Sequence, residues 1–267
     1  MKILKKISGL RGRVGTEAGE FYKSVYGLTD VGIQRKKNED YFLVNTHKNL
    51  FIVADGMGGH NAGEVASLNA TEAINKHFTH EILSGMKEDR GKFKDELNAC
   101  LFFANQKVLN MAESNAIYQG MGCTLVVALV QSGVLHTGHV GDARAYLCNE
   151  NGLTLLTTDH SKVMELVKAG HMTLEEARQS PMKNELSQAI GSSLPVLPDY
   201  NYHTLKDGNK VLLCSDGLWD MLSDEEIYRV VKRAVPAKSI CKELVKKANS
   251  AGGKDNITAV LFDYCEP

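Results

Sequence analysis

The chain has 267 residues, 43% of them hydrophobic and 24% charged, the make-up of an ordinary globular protein with ample material for a buried core. Its 31 Lys and Arg nearly cancel its 32 Asp and Glu, which leaves no electrostatic case for nucleic acid as a partner. None of the six Cys forms a C-x-x-C pair, so a zinc knuckle is excluded and reduced, mostly buried thiols in a cytoplasmic protein are expected.

The N-terminal stretch "MKILKKISGLRGRVG" has the charge of a secretion signal but no apolar segment to follow it. A flexible basic arm over residues 1–22 is expected, ahead of one domain over 23–267. No apolar run approaches the roughly 18 residues of a membrane span. "YFLVN" and "LFIVA" then read as strands, the second running into Asp55 and the glycines Gly56, Gly58 and Gly59. Apolar spacing predicts long helices over about 63–83 and 92–112. "TLVVALV", "VLHTGHV" and "RAYLCN" predict further strands, followed by a helical insertion containing "SKVMELVKAGHM" and "TLEEARQS". After the strand "KVLLCS" come the helices "SDEEIYRVVKRAV" and "AKSICKELVKKAN", then a last strand, "ITAVLF". "TLEEA" and "SDEEI" each set a hydroxyl three residues ahead of a carboxylate, the pattern of an N-terminal capping box. Strands do not alternate one for one with helices, so a doubly wound parallel sheet fits poorly. An α+β arrangement of mainly antiparallel sheets with helices outside fits better.

Four aspartates share one context. Asp55 ends "FIVAD", Asp216 ends "KVLLCSD", Asp255 precedes "NITAVLF", and Asp142 follows "HVG". Any one of them alone reads as a turn or cap residue. Together they imply several carboxylates at the tips of buried strands, where desolvation is expensive without compensation. Hard divalent cations such as Mg²⁺ or Mn²⁺ supply it, since they take oxygen ligands from distant parts of a chain. The glycines after Asp55 allow close backbone approach, and the Gly56 carbonyl is itself a candidate ligand. Other chemistries fail on the residues. Gly58 to Gly63 has the gap of a phosphate-binding loop but is followed by Glu64 instead of Lys. No Cys has an Arg six residues on, and neither a D-x-D pair nor a G-x-S-x-G elbow exists. Arg35, four residues before Glu39, is either a surface ion pair or a planar fork for a phosphate; spacing leaves both readings open.

The segments "TDVGIQRKKNEDYF", "VADGMGGHNAGEVAS", "GMGCTLVVALV", "HTGHVGDARAYL", "LTTDHSKVMELVKAGHMTLEEA", "NELSQAIG", "LLCSDGLWDML" and "DNITAVLF" resemble, in order, the PP2C-type (PPM) metal-dependent protein Ser/Thr phosphatases in their compact bacterial form. The resemblance implies a β-sandwich of two antiparallel sheets flanked by pairs of α-helices, with a helical flap at about 158–191. It implies two Mn²⁺ or Mg²⁺ ions that activate a water, with Asp55 bridging them. Asp216 and Asp255 hold the first ion, and the Gly56 carbonyl and Glu39 serve the second. Asp142 joins Asp216 at a third, weaker site, Asp30 lies outside these ligands, and Arg35 clamps the phosphoryl group. The implied substrates are phosphorylated proteins, targets of a Ser/Thr kinase and the kinase itself, acted on by a monomer.

Some positions depart from the family pattern. Animal members carry a His just after the Asp-Gly pair, where this chain has Met57. Ala143 and Cys123 replace a Ser and a Thr, and neither change removes a ligand. His60 gains no role. The flap, with Met164, Met172, Met182, His160 and His171, is expected to face substrate. Two alternatives remain, a catalytically weak phosphoprotein-binding module and a small-molecule phosphomonoesterase. The presence of Asp55, Asp216, Asp255 and Glu39 favours the protein phosphatase.

Overall fold

The structure, a computed structural model, describes residues 12–14, 21–58, 62–86, 89–193 and 195–266. Its strands, numbered in chain order, form two sheets. The six-stranded sheet is ordered β1 (Gly12–Val14), β3 (Tyr41–Asn45), β4 (Leu50–Met57), β5 (Gly122–Gln131), β6 (Val134–Val140) and β9 (Asp199–Thr204). The five-stranded sheet is ordered β2 (Tyr22–Asp30), β11 (Ile257–Tyr264), β10 (Lys210–Cys214), β7 (Arg144–Asn149) and β8 (Gly152–Leu155). Every pairing is antiparallel except β1 with β3, which is parallel. That short strand falls inside the expected N-terminal arm, whose residues 1–11 and 15–20 lie outside the described residues.

Helices α1 (Gly63–His77), α2 (His80–Gly85) and α3 (Arg90–Ser114) lie on the six-stranded sheet's side. Helices α6 (Asp216–Trp219), α7 (Asp224–Val231) and α8 (Ala237–Ser250) cover the five-stranded sheet. The insertion carries α4 (Lys162–Lys168) and α5 (Leu174–Gln179). Both expected capping boxes form, Thr173 with Glu176 and Ser223 with Glu226. The helical spacing over 63–83 does not give one helix. Thr79 adopts an extended conformation and its side chain accepts a hydrogen bond from the Ile82 N–H, starting α2 as a separate helix. Among the described residues no helix is long and apolar enough to cross a membrane.

The sheets pack face to face and are also covered outside, so both faces of most strands are apolar. In β4, Leu50, Ile52 and Ala54 meet the helices, while Phe51 and Val53 face the opposite sheet. In β10, Leu212 and Cys214 face outward, Val211 and Leu213 inward; in β11, Ala259 and Leu261 face outward, Val260 and Phe262 inward. Phe51 and Phe262 stack across the gap with ring centroids 4.4 Å apart. Strand side chains alternate with a period of two. Continuing the inner face one step beyond the apolar stretch reaches Asp40 before Phe42, Asp55 after Val53, Ser215 after Leu213 and Thr258 before Val260. Four polar residues from both sheets are thereby directed to one end of the sandwich.

Candidate active site

The site is built where β4 ends, β11 begins and the 30–40 loop crosses between them. Asn256 ties the loop down. Its side-chain amide donates to the carbonyls of Val31 (2.9 Å) and Lys37 (2.8 Å), and its Oδ1 accepts from the Glu39 N–H at 2.7 Å. Asp30 braces the same loop, with Oδ1 accepting from Gly32 N–H at 2.9 Å and from the Asn249 amide at 3.0 Å. The loop then places Arg35 so that its guanidinium meets Asp255 Oδ2 at 2.5 Å. The guanidinium stays half exposed, with 53% of the side chain open to solvent.

Gly56 shows how tightly the backbone is gathered here. A Cβ on Gly56 would stand 2.2 Å from the Gly63 carbonyl oxygen and 2.5 Å from that of Glu39. The start of α1 and the residue after the 30–38 loop therefore press directly on the end of β4. Ser67 of α1 completes the join by donating to the Glu39 carbonyl at 2.6 Å. Only a residue without a side chain allows three backbone segments to meet at this point.

Asp55, Asp142, Asp216 and Asp255 come within electrostatic reach of one another. Burial pushes the Asp55 carboxyl well above the ordinary carboxylate range, and the charges of Asp40, Asp216, Asp142 and Asp255 push the same way. Burial raises Asp216 to about 6, with Asp255 adding to the rise; the hydrogen bond from Asp55 and the charge of Arg35 pull it back. Asp142 is raised by burial, then by Asp216 and Asp159, and the Arg144 charge opposes them. Trp219 Nε1 donates to the Asp142 carbonyl at 3.0 Å. Arg144 lies over that indole and grips Asp159 with two hydrogen bonds, 2.9 and 2.6 Å long.

Asp40 is an acid the sequence analysis gave no role. It is fully buried, and its Oδ2 accepts from Ser215 Oγ at 2.8 Å and Thr258 Oγ1 at 2.5 Å. Burial raises it to about 7 against those two donors, with Asp216 and Asp255 adding to the rise. Alternation was the signal that would have found it, since Asp40 precedes Phe42 and Val44 by even steps and so shares their inward face. His60 lies outside the described residues. Met57, where animal relatives have His, is part-exposed.

The donor set fits a hard divalent cation. Its side chains are carboxylates, a backbone carbonyl adjoins them, and the half-exposed Arg35 is a counter-charge acting on Asp216. Asp216 Oδ1 and Asp40 Oδ1 are both buried with no protein hydrogen-bond partner. Buried carboxylate oxygens are seldom left unsatisfied unless an ion or water completes them.

The family model described as "Protein phosphatase 2C" matches residues 33–261. The chain belongs to the PP2C-type protein phosphatases. This phosphatase is 39% identical over 243 residues to protein phosphatase PhpP of Streptococcus pneumoniae strain D39, a match covering 90% of this chain and 96% of that one. It is similar to a solved serine/threonine phosphatase of S. agalactiae, with a TM-score of 0.82, 35% identity, and 91% and 99% of the two chains covered. It is also similar to the catalytic domain of the serine/threonine protein phosphatase PstP solved in complex with two manganese ions, with a TM-score of 0.78 and 32% identity. That alignment covers 91% of this chain and 98% of the PstP chain. The phosphatase is thus a metal-dependent enzyme acting on phosphoproteins, and two antiparallel sheets flanked by helices are the architecture of its solved relatives. The binding-module alternative has the weaker support.

Proposed function

We propose that Asp55, the Gly56 carbonyl, Glu39, Asp216 and Asp255 hold two Mn²⁺ or Mg²⁺ ions, and that Asp142 with Asp216 holds a third, weaker one. The reading rests on the buried carboxylate cluster with its unpartnered Asp216 oxygen, and the manganese complex of PstP supports the choice of ion. The chemistry such ions supply is neutralisation of the clustered charge and activation of a water for in-line attack on phosphorus.

The chain's own groups do the rest. Arg35 is a half-exposed guanidinium bonded to Asp255 at the cluster. When a phosphoryl group arrives, its planar fork offers two donors to the non-bridging oxygens and offsets the charge that grows on them. Met57 carries no proton to give, so the leaving hydroxyl takes its proton from another group. Lys183, which pairs with Asp220 just beyond α6, ties the flap of 158–191 to the body of the fold.

The proposed substrates are phospho-Ser and phospho-Thr side chains of cytoplasmic proteins modified by a Ser/Thr kinase, the kinase among them. The unit that does this is the phosphatase domain of residues 23–267 acting as a monomer. The test is release of phosphate from a phosphothreonine peptide and from p-nitrophenyl phosphate as Mn²⁺ is titrated into chelated enzyme. Metal-stimulated turnover with preference for the peptide, lost in Asp216→Asn, is expected. Full turnover in Asp216→Asn would sink the metal assignment, and equal rates on both substrates would point to a small-molecule phosphoesterase.

A further inference from the structure

A second titratable cluster lies at the root of the flap. His139 of β6, Asp199 of β9 and His160 bring ligand-type atoms within 4.8 Å of one another, an arrangement that suggests a metal. The hydrogen bonds exclude it. His160 Nδ1 accepts from the Gly141 N–H at 3.3 Å, so the ring proton must sit on Nε2, 3.4 Å from Asp199 Oδ2. Coordination through Nε2 would move that proton to Nδ1 and set two N–H donors head to head. His139 is likewise engaged, with Nε2 2.8 Å from the Thr158 carbonyl.

What the cluster does hold is a turn. His160 is buried, and its own N–H donates to the Gly141 carbonyl at 2.9 Å while its ring accepts the Gly141 N–H. One residue therefore satisfies both backbone groups of Gly141. Gly141 has φ +94°, and a Cβ there would come within 2.4 Å of Thr124 Cβ, so the turn has no side chain of its own with which to anchor. The next residue is Asp142, whose carbonyl is held from the other side by Trp219. His160 also accepts the Ser187 N–H on its carbonyl at 2.9 Å, where the flap returns to the body. Burial pushes the His160 pKa down, which keeps the Nδ1 lone pair available. His139 stacks on the ring at 4.7 Å between centroids and prevents it from turning.

We infer that His160, kept in its Nε2–H tautomer by Asp199, is a positioning residue that fixes the Gly141–Asp142 turn and so aims the Asp142 carboxylate at the third, weakest cation. The inference rests on the metal assignment of the preceding section. Asn is the conservative replacement, because its Oδ1 sits near the place of Nδ1 and accepts the same N–H; Gln and Leu do not.

The experiment is a Mn²⁺ titration of the full chain followed by electron paramagnetic resonance, on wild type, His160→Asn, His160→Gln and His160→Leu, with melting temperatures recorded. The weakest Mn²⁺ site should loosen about tenfold in the Gln and Leu variants, the worth of one hydrogen bond. In the Asn variant it should stay within about twofold, and the tight sites should hold in all four proteins. An unchanged weak site in the Gln and Leu variants, or an Asn variant as weak as Gln at equal melting temperature, overturns the inference alone. No Mn²⁺ binding by wild type overturns the metal assignment along with it. Nitrogen-15 spectra of wild-type imidazoles give a check that needs no variant to fold, since a protonated Nδ1 on His160 refutes the tautomer and the inference.

Discussion

Replacing Asp216 by Asn should make the metal-free phosphatase more stable while abolishing its activity. The carboxyl rises from 3.8 to about 6 on folding, chiefly through burial. At ~1.4 kcal/mol for each tenfold change in proton affinity, holding it ionised in the folded chain at pH 7.5 costs on the order of 3 kcal/mol. Asn keeps the shape, still accepts the Asp55 hydrogen bond and cannot ionise. The sign follows from the direction of the rise. Stability from a raised acid is full below its unfolded value, falls as pH climbs through about 6, and is gone at 7.5. A simple pH scan would not show this, because buried histidines pull the other way. His136, lowered from 6.5 to about 4 by burial, loses stability as pH falls. The difference between variant and wild type cancels that contribution.

Calorimetry in excess chelator should therefore place the Asn variant about 6–12 °C above wild type at pH 7.5, at roughly 2–4 °C per kcal/mol for a chain of this size. The gap should close toward pH 4. Saturating Mn²⁺ should reverse the order, because each ion at 100 times its dissociation constant adds about 2.7 kcal/mol to whatever binds it, and the two proposed ions together exceed the advantage of the Asn variant. An Asn variant that melts below wild type in chelator at pH 7.5, and still gains from Mn²⁺, would refute the reasoning. It would mean that the Asp216 charge is compensated within the protein and is not waiting for a cation.

Gly56→Ala should lose metal-stimulated turnover and about 3 kcal/mol of stability by urea denaturation, since its Cβ would meet two carbonyl oxygens at 2.2 and 2.5 Å; a variant with wild-type stability would show that the three backbones part easily. Arg35→Lys should raise KM for a phosphopeptide about tenfold and Arg35→Ala should lower kcat/KM about a hundredfold, with unfolding free energy within about 0.5 kcal/mol of wild type because the side chain is half exposed. Unaltered kinetics in Arg35→Ala would remove that residue from the site. His136 is stacked on Phe93 at 3.7 Å and held 2.8 Å from the Tyr200 hydroxyl. Its depressed pKa means stability present above 6.5 and lost on the way down to about 4, so wild type should lose on the order of 3 kcal/mol more than His136→Gln over that range. Parallel losses in the two proteins would contradict the neutral assignment.

The strands that could be read from the sequence are those buried on both faces, because "LFIVA", "TLVVALV" and "ITAVLF" admit no other use. Those that could not are held by their neighbours instead of by their composition. β9, "DYNYHT", is largely exposed and polar, and it is a strand because its backbone pairs with β6 from Val134 to His139. β2 carries Lys, Ser and Gly and is extended through its register with β11. The acids ending apolar runs were conspicuous for the same reason as the strands. Asn256 and Ser215 were not, since a small polar residue beside an Asp reads as a turn, and Thr258 was not, since a hydroxyl within "ITAVLF" reads as an ordinary strand residue. Their work is visible only when Asp40 and the 30–40 loop are brought to them from some two hundred residues away.

The alternation that turns Asp40 and Asp55 inward brings both to the end of the sandwich where the other acids stand. Asp55 comes from one sheet and Asp216 and Asp255 from the ends of the other, so their separation is set by how the sheets pack. Ionised acids in such a place repel one another and press the sheets apart at that end. Against this stand Phe51, Phe262, Val53, Val260 and Leu213, all buried between the sheets, each contributing roughly 1.5–3 kcal/mol. The ionisation cost of Asp216, on the order of 3 kcal/mol, is what one or two of these side chains supply. The apolar interior therefore outweighs the cost of an ionised Asp216 and holds that carboxylate in place before any ion arrives, which is the preorganisation a cation site of this kind requires.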